Sequence, residues 1–348
     1  MIKKILIVTS VCLIACTSKN QKPPTIASVK AIDEYHGQLI EDPYRNLENL
    51  EDTTVINWFR KQKRFTNNQL TRITEKKNLK KKIVEYQKIT KPTYTSVKTA
   101  GAAENIFFYL KNKVSNNRKS LYVKEEITGK ERLLFNPENF NLISDDAYII
   151  SYYQPNWSGT KVVISFTKDD EEISDMIVLD VKSGKLISEK LSNCWPSELG
   201  GVNWLPNDIS FTYNYIPVTD NLQPGYLLNT TTLIYDTTTK THQTIFSKKN
   251  NPDIDINKED FPNVTFRSKN ASYAFANVFG ATNYSDHYYK PLDKLYDEQS
   301  KWKSLYKKED LIKTFFVQGD EVFFLTAKNA SNYKICNCLL YTSDAADD

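Results

Sequence analysis

Only three histidines, His36, His242 and His287, are available as general bases, and none has a nucleophile motif to serve. A nucleophilic serine needs a sharp strand-to-helix elbow of the Gly-x-Ser-x-Gly kind to present its oxygen to the base. No such string occurs in the chain. Ser158 precedes Gly159 in the run NWSGTK, but its surroundings predict a strand-to-strand turn. His36 lies in the turn EYHG, where the expected duty is a structural hydrogen bond; His242 and His287 fall in strand-like runs, THQTIF and DHYYK. The acidic run Asp253-Ile254-Asp255-Ile256-Asn257 starts like a calcium loop. However, Lys258 stands where the sharp-turn glycine belongs and Val264 where the bidentate glutamate belongs. A solvated connection is expected there, and likewise for the acids from Asp169 to Glu172. The chain is therefore predicted to hold no catalytic residue, no metal and no cofactor.

Cysteine usage points to the termini. Lys3 and Lys4 precede a ten-residue apolar run, Ile5 to Ile14, too short to span a bilayer. It ends in Leu13-Ile14-Ala15-Cys16, which resembles the cleavage box of bacterial lipoproteins. Residues 1–15 are then a signal peptide, Cys16 the lipidated first residue, and residues 16–30, with Pro23 and Pro24, a tether. The expectation is an exported protein anchored to a bacterial membrane through Cys16, in the periplasm or at the cell surface. At the other end, residues 338–348 (CLLYTSDAADD) coincide with the in-frame translation of a transposase sequencing adapter, so natural sequence is expected to stop near Asn337. Cys194 and Cys336 then remain as two buried free thiols.

The elements between these ends change type once. Residues 31–90 read as a helical segment. Asp52 is a plausible N-cap for a helix from 53 to about 72, with Val55, Trp58, Phe59 and Phe65 on its apolar side, and a second helix is expected over 76–87. Lys91-Pro92 ends the helical region, because the residue before proline is pushed out of the α region. From there to residue 337 the chain reads as short alternating strands between turns. First strands recur near Thr93, Tyr148, Val202, Val264 and Lys313, with three further strands before each recurrence. Repeated four-stranded units of this length are the pattern of β-propeller blades. The formal charge of +4 is modest, and its cations are interspersed with acids. No basic stripe is expected and nucleic acid is excluded as a partner.

The residues around this switch carry a resemblance. Asp33, Glu34, Tyr35, His36 and Gly37, followed by Asp42, Pro43, Tyr44, Arg45, Leu47 and Glu48, are similar to the N-terminal segment of the prolyl oligopeptidase family of serine peptidases. Asn46 departs from the tryptophan usual there. The resemblance assigns Asp33, Tyr35, His36, Gly37, Asp42, Pro43, Tyr44 and Arg45 a structural role. It implies a mainly β fold: an incomplete propeller, about four and a half of seven four-stranded blades, preceded by a short helical segment. It also implies a following α/β-hydrolase domain that this chain lacks, carrying the Ser, Asp and His that cleave short peptides after proline. That domain would be the intramolecular partner of the helical segment, and the propeller would screen substrates by size. The alternative from the same residues is a lipid-anchored propeller that binds without catalysis.

Overall fold

The computed structural model describes residues 22–89, 92–113, 116–140, 148–168, 171–198 and 201–340. They divide into two units, Met1–Thr90 and Lys91–Asp348. Cys16 and the apolar run before it lie outside the described residues, as do Asp169 and Asp170.

The first unit opens on a hairpin of β1 (Ala31–Tyr35) and β2 (Gln38–Asp42), in antiparallel register from Ala31↔Asp42 to Tyr35↔Gln38. Its two turn residues, His36 and Gly37, both take positive φ, 51° and 78°. Two such residues in succession match the right-handed twist of the strands they join. Helix α1 (Thr53–Thr71) starts where Asp52 accepts the Thr54 amide at 2.7 Å, as an N-cap should. Helix α2 (Glu75–Ile89) follows. The expected tether is fastened to α1: the Pro24 carbonyl accepts Trp58 Nε1–H at 3.0 Å and Gln62 Nε2–H at 2.6 Å.

The second unit is a succession of antiparallel meanders. The first blade comprises β3 (Tyr94–Ala100), β4 (Ile106–Lys113), β5 (Asn116–Glu125) and β6 (Arg132–Phe135). The second comprises β7 (Tyr148–Pro155), β8 (Lys161–Lys168), β9 (Ser174–Asp180) and β10 (Leu191–Cys194); the third β11 (Asn203–Trp204), β12 (Ser210–Tyr215), β13 (Thr231–Asp236) and β14 (His242–Phe246). These two are joined by one pairing, Cys194↔Tyr215. A fourth blade holds β15 (Phe261–Thr265), β16 (Tyr273–Phe279), β17 (Asp286–Pro291) and β18 (Lys303–Tyr306). The fifth sheet has β19 (Ile312–Gln318), β20 (Glu321–Thr326) and β21 (Lys334–Leu339).

Burial explains the spacing. Strand β8 is buried on both faces, so apolar residues fall on both of them instead of alternating strictly with polar ones. Val162, Ile164 and Phe166 join a core with Phe108, Leu110 and Leu121 of the first blade. Val163, on the opposite face, joins Met176, Trp204, Phe211 and Tyr235 toward the third. The third and fourth blades share Ile234, Phe246, Val264 and Trp302; the fourth and fifth share Phe275, Tyr306, Phe315 and Phe324. The second, third and fourth blades are thus slabs between two cores.

Three local expectations need adjustment. The run KLISEKL at 185–191 alternates like the last strand of the second blade, yet residues 185–190 carry only the isolated bridge Leu179↔Leu186, and the strand itself is Leu191–Cys194. The fourth blade begins at Phe261, three residues before Val264, because Pro262 carries no amide hydrogen to betray a strand yet its carbonyl is used by the blade before it. Cys336 is exposed, on a strand that borders its sheet among the described residues, while Cys194 is buried as expected. Strand β21 also runs across the Asn337–Cys338 boundary to Leu339, and Leu340 is buried.

Candidate functional site

The signature residues converge on Arg45. Its Nη2 donates to Asp33 Oδ2 in a short contact, and its Nε lies 3.1 Å from Asp42 Oδ2 and 3.3 Å from Glu48 Oε1. Asp42 also accepts the Tyr44 amide at 2.9 Å. That amide, with Arg45 second, holds the Asp42 carboxyl below the usual carboxylate range, and the two carboxylates push the Arg45 guanidinium further up. The Pro43 carbonyl accepts the Val29 amide at 2.9 Å. Hairpin and following turn are therefore tied at one cation, and the preceding segment is held at the Pro43 carbonyl beside it. Tyr35 and Tyr44 point their rings outward, and the His36 ring makes no hydrogen bond among the described residues. The structural hydrogen bond expected of His36 is thus not there: its contribution is the left-handed backbone that the turn requires. Asn46, in place of the family's tryptophan, buries a side-chain oxygen that has no hydrogen-bond partner.

The other two histidines are committed elsewhere. His242 Nδ1 lies 3.0 Å from Tyr213 Oη, with the ring against Tyr235. Burial lowers its pKa. His287 has Nδ1 3.2 Å from the Ser285 carbonyl, so that nitrogen is best satisfied as a donor, and its ring stacks on Tyr306 at 4.4 Å between centroids. Burial pushes it down to about 4, leaving it neutral at physiological pH. Ser285 Oγ is 3.5 Å from the same nitrogen, too far for an activated nucleophile and on the donating side of the ring. Ser158 is spent on the β7–β8 turn, where its amide donates to Asp208 Oδ2 at 3.1 Å and its hydroxyl pairs with Thr160. Asp253 pairs with Lys301 at 3.5 Å while Ile254 and Ile256 are buried. Among the described residues no group of three His, Cys, Asp or Glu is arranged to hold a metal.

Between the blades, buried polar side chains reach backbone carbonyls of the next unit. Tyr153 Oη donates to the Ser96 carbonyl of the first blade. Trp204 Nε1–H donates to the Gln154 carbonyl at 3.1 Å, and Trp157 Nε1–H to the Trp204 carbonyl at 3.1 Å. Thr212 reaches Val264 O at 2.7 Å, while Asn214 and Thr232 both reach Pro262 O, at 2.9 and 2.8 Å. Tyr289 Oη donates to Leu340 O at 2.8 Å. Sequence reading passed over this set. The signal available was a Thr or Asn inside an otherwise apolar strand, which must have a partner when buried.

Two grooves open on the blades. One, about 1150 Å³, lies beside the first and second blades and mixes Lys124, Glu131, Arg132 and Asp180. Of its charges, Glu131 is already committed, since it pairs with Lys111 and takes the Tyr109 hydroxyl at 2.8 Å. The other, about 320 Å³, is lined by Tyr213, Tyr235 and His242 with Lys240 at its edge.

Charge is distributed less evenly than expected. Between Arg60 and Lys88 the chain has eleven Lys or Arg against Glu75 and Glu85, although the whole chain sums to +4. The even scatter read from composition is an average of this basic stretch and acidic surroundings. No helix among the described residues is long and apolar enough to cross a membrane.

Comparison with known proteins agrees with the order of these elements. The model of the prolyl oligopeptidase N-terminal β-propeller domain matches residues 23–347. Prolyl endopeptidases of Elizabethkingia miricola and Elizabethkingia meningoseptica are 25% and 24% identical over 92% and 90% of this chain. The chain spans 43% and 42% of their lengths. Among solved structures, a prolyl endopeptidase studied for inter-domain dynamics superposes with TM-score 0.70 at 19% identity, over 91% of this chain and 44% of that one. Prolyl oligopeptidase B from Galerina marginata, bound to a macrocyclization substrate, superposes with TM-score 0.71 at 14% identity, over 91% and 46%. These structures establish the fold, mainly β with a propeller as its chief domain. From the Arg45 clamp through five successive blades, the chain belongs to the prolyl oligopeptidase family, as its N-terminal β-propeller portion.

Proposed function

We propose that this chain is the N-terminal part of a lipid-anchored serine endopeptidase of prolyl oligopeptidase type, acting on short proline-containing peptides. The carrying observation is the family match over residues 23–347 in a chain spanning 43% of its curated relative. In this reading the propeller screens substrates by size. A following α/β-hydrolase domain supplies the serine, aspartate and histidine and rests on the apolar side of α1, around Trp58 and Phe59. The commitments of His242 and His287 support a division of labour in which this part does no proton transfer. Cys16, acylated after export, would hold the enzyme at the membrane, because several chains together give stable anchoring where one does not.

The test is turnover of a chromogenic peptide containing proline. The purified chain alone should give none, and the same chain continued into a hydrolase domain should give turnover that a serine-directed inhibitor abolishes. Activity of the chain alone, persisting through purification and lost on replacing His242 or His287, would refute the division of labour. Palmitate labelling lost in Cys16→Ser checks the anchor separately. The groove at Tyr213, Tyr235 and His242 favours a second reading, a lipid-anchored propeller that binds a peptide or glycan without catalysis. It differs in expecting no hydrolase sequence after the propeller.

A further inference from the structure

The last strand of the second blade departs from regular pairing. Leu191 faces Met176 and Cys194 faces Ser174, which leaves one residue too many on the β10 side. The extra residue is taken up as a bulge, with Asn193 at φ 62°. The chain bends there, so β10 meets β12 at the single pairing Cys194↔Tyr215, and residues 189–192 stand off from the third blade. The groove of about 320 Å³ is the space that this bend leaves open.

Alternation decides what lines its far wall. Thr212 and Asn214 of β12 reach the fourth blade and Ile234 of β13 joins the core there, so Tyr213, Tyr215, Leu233 and Tyr235 face the second blade. His242 stands opposite Tyr235 in the β13–β14 register, with its ring 4.9 Å from the Tyr235 ring. Phenol rings and an imidazole thus share one wall. The polar groups around it are of both kinds. Glu189, which only accepts, and Lys240, which only donates, are exposed and make no ion pair among the described residues. Lys190 is held by Asp175 at 2.8 Å, and Ser192 is exposed beside it. In the wall itself, the buried Tyr235 hydroxyl has no hydrogen-bond partner.

Aromatic faces are negative and attract the slightly positive hydrogens of C–H groups. The groups beside the rings separate the ligand classes. A proline-rich peptide would suit the rings, but its backbone offers carbonyl acceptors and lacks proline amides, so Glu189 would face acceptors. A quaternary ammonium would also suit the rings, yet it would meet Lys240 at the edge. A sugar ring presents a face of C–H groups with hydroxyls around it that both donate and accept. It alone of the three answers the rings, Glu189 and Lys240 together. We propose that the groove between the second and third blades binds a sugar ring of an uncharged glycan. This specifies the ligand of the second reading above, and it stands whether or not a hydrolase domain follows.

The experiment is saturation-transfer NMR on the full chain, kept free of sugar-headed detergent, with cellobiose, maltose and N,N′-diacetylchitobiose at millimolar concentration. At least one of these should receive saturation, strongest at the ring C–H protons of the face that stacks. Glu189→Ala should weaken binding of that sugar about tenfold, the loss of a hydrogen bond to a charged group. His242→Ala removes part of the aromatic wall and should weaken it as well. Both side chains are exposed, and thermal melts by circular dichroism check that the variants fold. The control Lys269→Gln, an exposed change on the fourth blade, should leave binding as it was. No saturation of any of the sugars, or binding that Glu189→Ala and His242→Ala both leave unchanged, overturns the proposal. Saturation of tetraproline that both variants abolish, where no sugar is saturated, overturns it in favour of a peptide. Failure of the sugars to bind would leave the peptidase reading untouched, and a gene without a hydrolase domain would leave sugar binding untouched, so the two readings fail separately.

Discussion

Arg45 gathers carboxylates from β1, from the end of β2 and from its own helical turn, and it does so in partial contact with solvent. Replacement by methionine keeps the stem and removes the charge. Hydrogen exchange at the amides of Ile32 to Ile40 should then accelerate, and exchange in the propeller should not. Asp42 gives the same clamp a pH dependence. Its folded pKa is below the unfolded value, so its contribution is complete above the ordinary carboxylate pKa and is lost as the pH falls below about 4. Exchange at the same amides should rise over that window. His287 acts in the opposite sense to a paired histidine. The unfolded chain takes its proton near 6.5 while the folded site takes it at about 4, so stability is full at neutral pH and declines as the pH falls between these values. The loss is at most about 3 kcal/mol. His287→Phe retains the stack on Tyr306 and should flatten the melting midpoint between pH 7 and pH 5 relative to the parent chain. Thr212 tests the contacts between blades. Thr212→Val keeps its shape but leaves the buried Val264 carbonyl without that donor, which costs about 1–3 kcal/mol in chemical denaturation.

At the scale of elements, the β7–β8 turn shows how one glycine fixes a blade interface. Gly159 has φ +71°, and an added Cβ would stand 2.8 Å from Ile106 Cδ1 and 3.2 Å from Ala100 Cβ, both in the first blade. Gly159→Ala should therefore destabilise by about 1–3 kcal/mol from the backbone alone, with further loss from the clash, seen as a lower denaturation midpoint. Strong local patterns made most elements legible in the sequence. The Asp52 cap located the start of α1 at Thr53, and short apolar-rich runs between turn residues, such as Lys161–Lys168, located strands. The turn at Ser158-Gly159 was legible for the same reason, since two such runs flank it. What failed were positions where a neighbour decides. Residues 185–190 alternate like a strand but make one bridge, because the pairing edge of β9 is taken up by Ser188 and by Leu191. Phe261 and Pro262 begin β15 because Asn214 and Thr232 of the third blade bond there, a contact invisible in one strand. The Arg45 clamp was legible as a set of signature residues, yet its geometry was not, because a list of matches does not say which carboxylate meets which nitrogen. The basic helix pair was hidden by averaging charge over the whole chain.

For the molecule as a whole, the two units have different chemistries. The propeller unit closes its polar groups inward, blade on blade, through Tyr153, Trp204, Thr212 and Tyr289. The helical unit keeps Phe59, Ile73, Leu79 and Ile83 exposed along with most of its cations. A propeller unit whose blades are bonded to one another from within is suited to covering a site, and a helical unit with open faces is suited to being covered. On the proposed reading, the chemistry of this family lies outside residues 22–340, and these residues serve admission and attachment. The most direct test of that claim is the sequence of the gene beyond the codon for Asn337. The account predicts further blades followed by a Gly-x-Ser-x-Gly elbow with aspartate and histidine downstream. A stop codon soon after a completed propeller, with no such elbow, would contradict it.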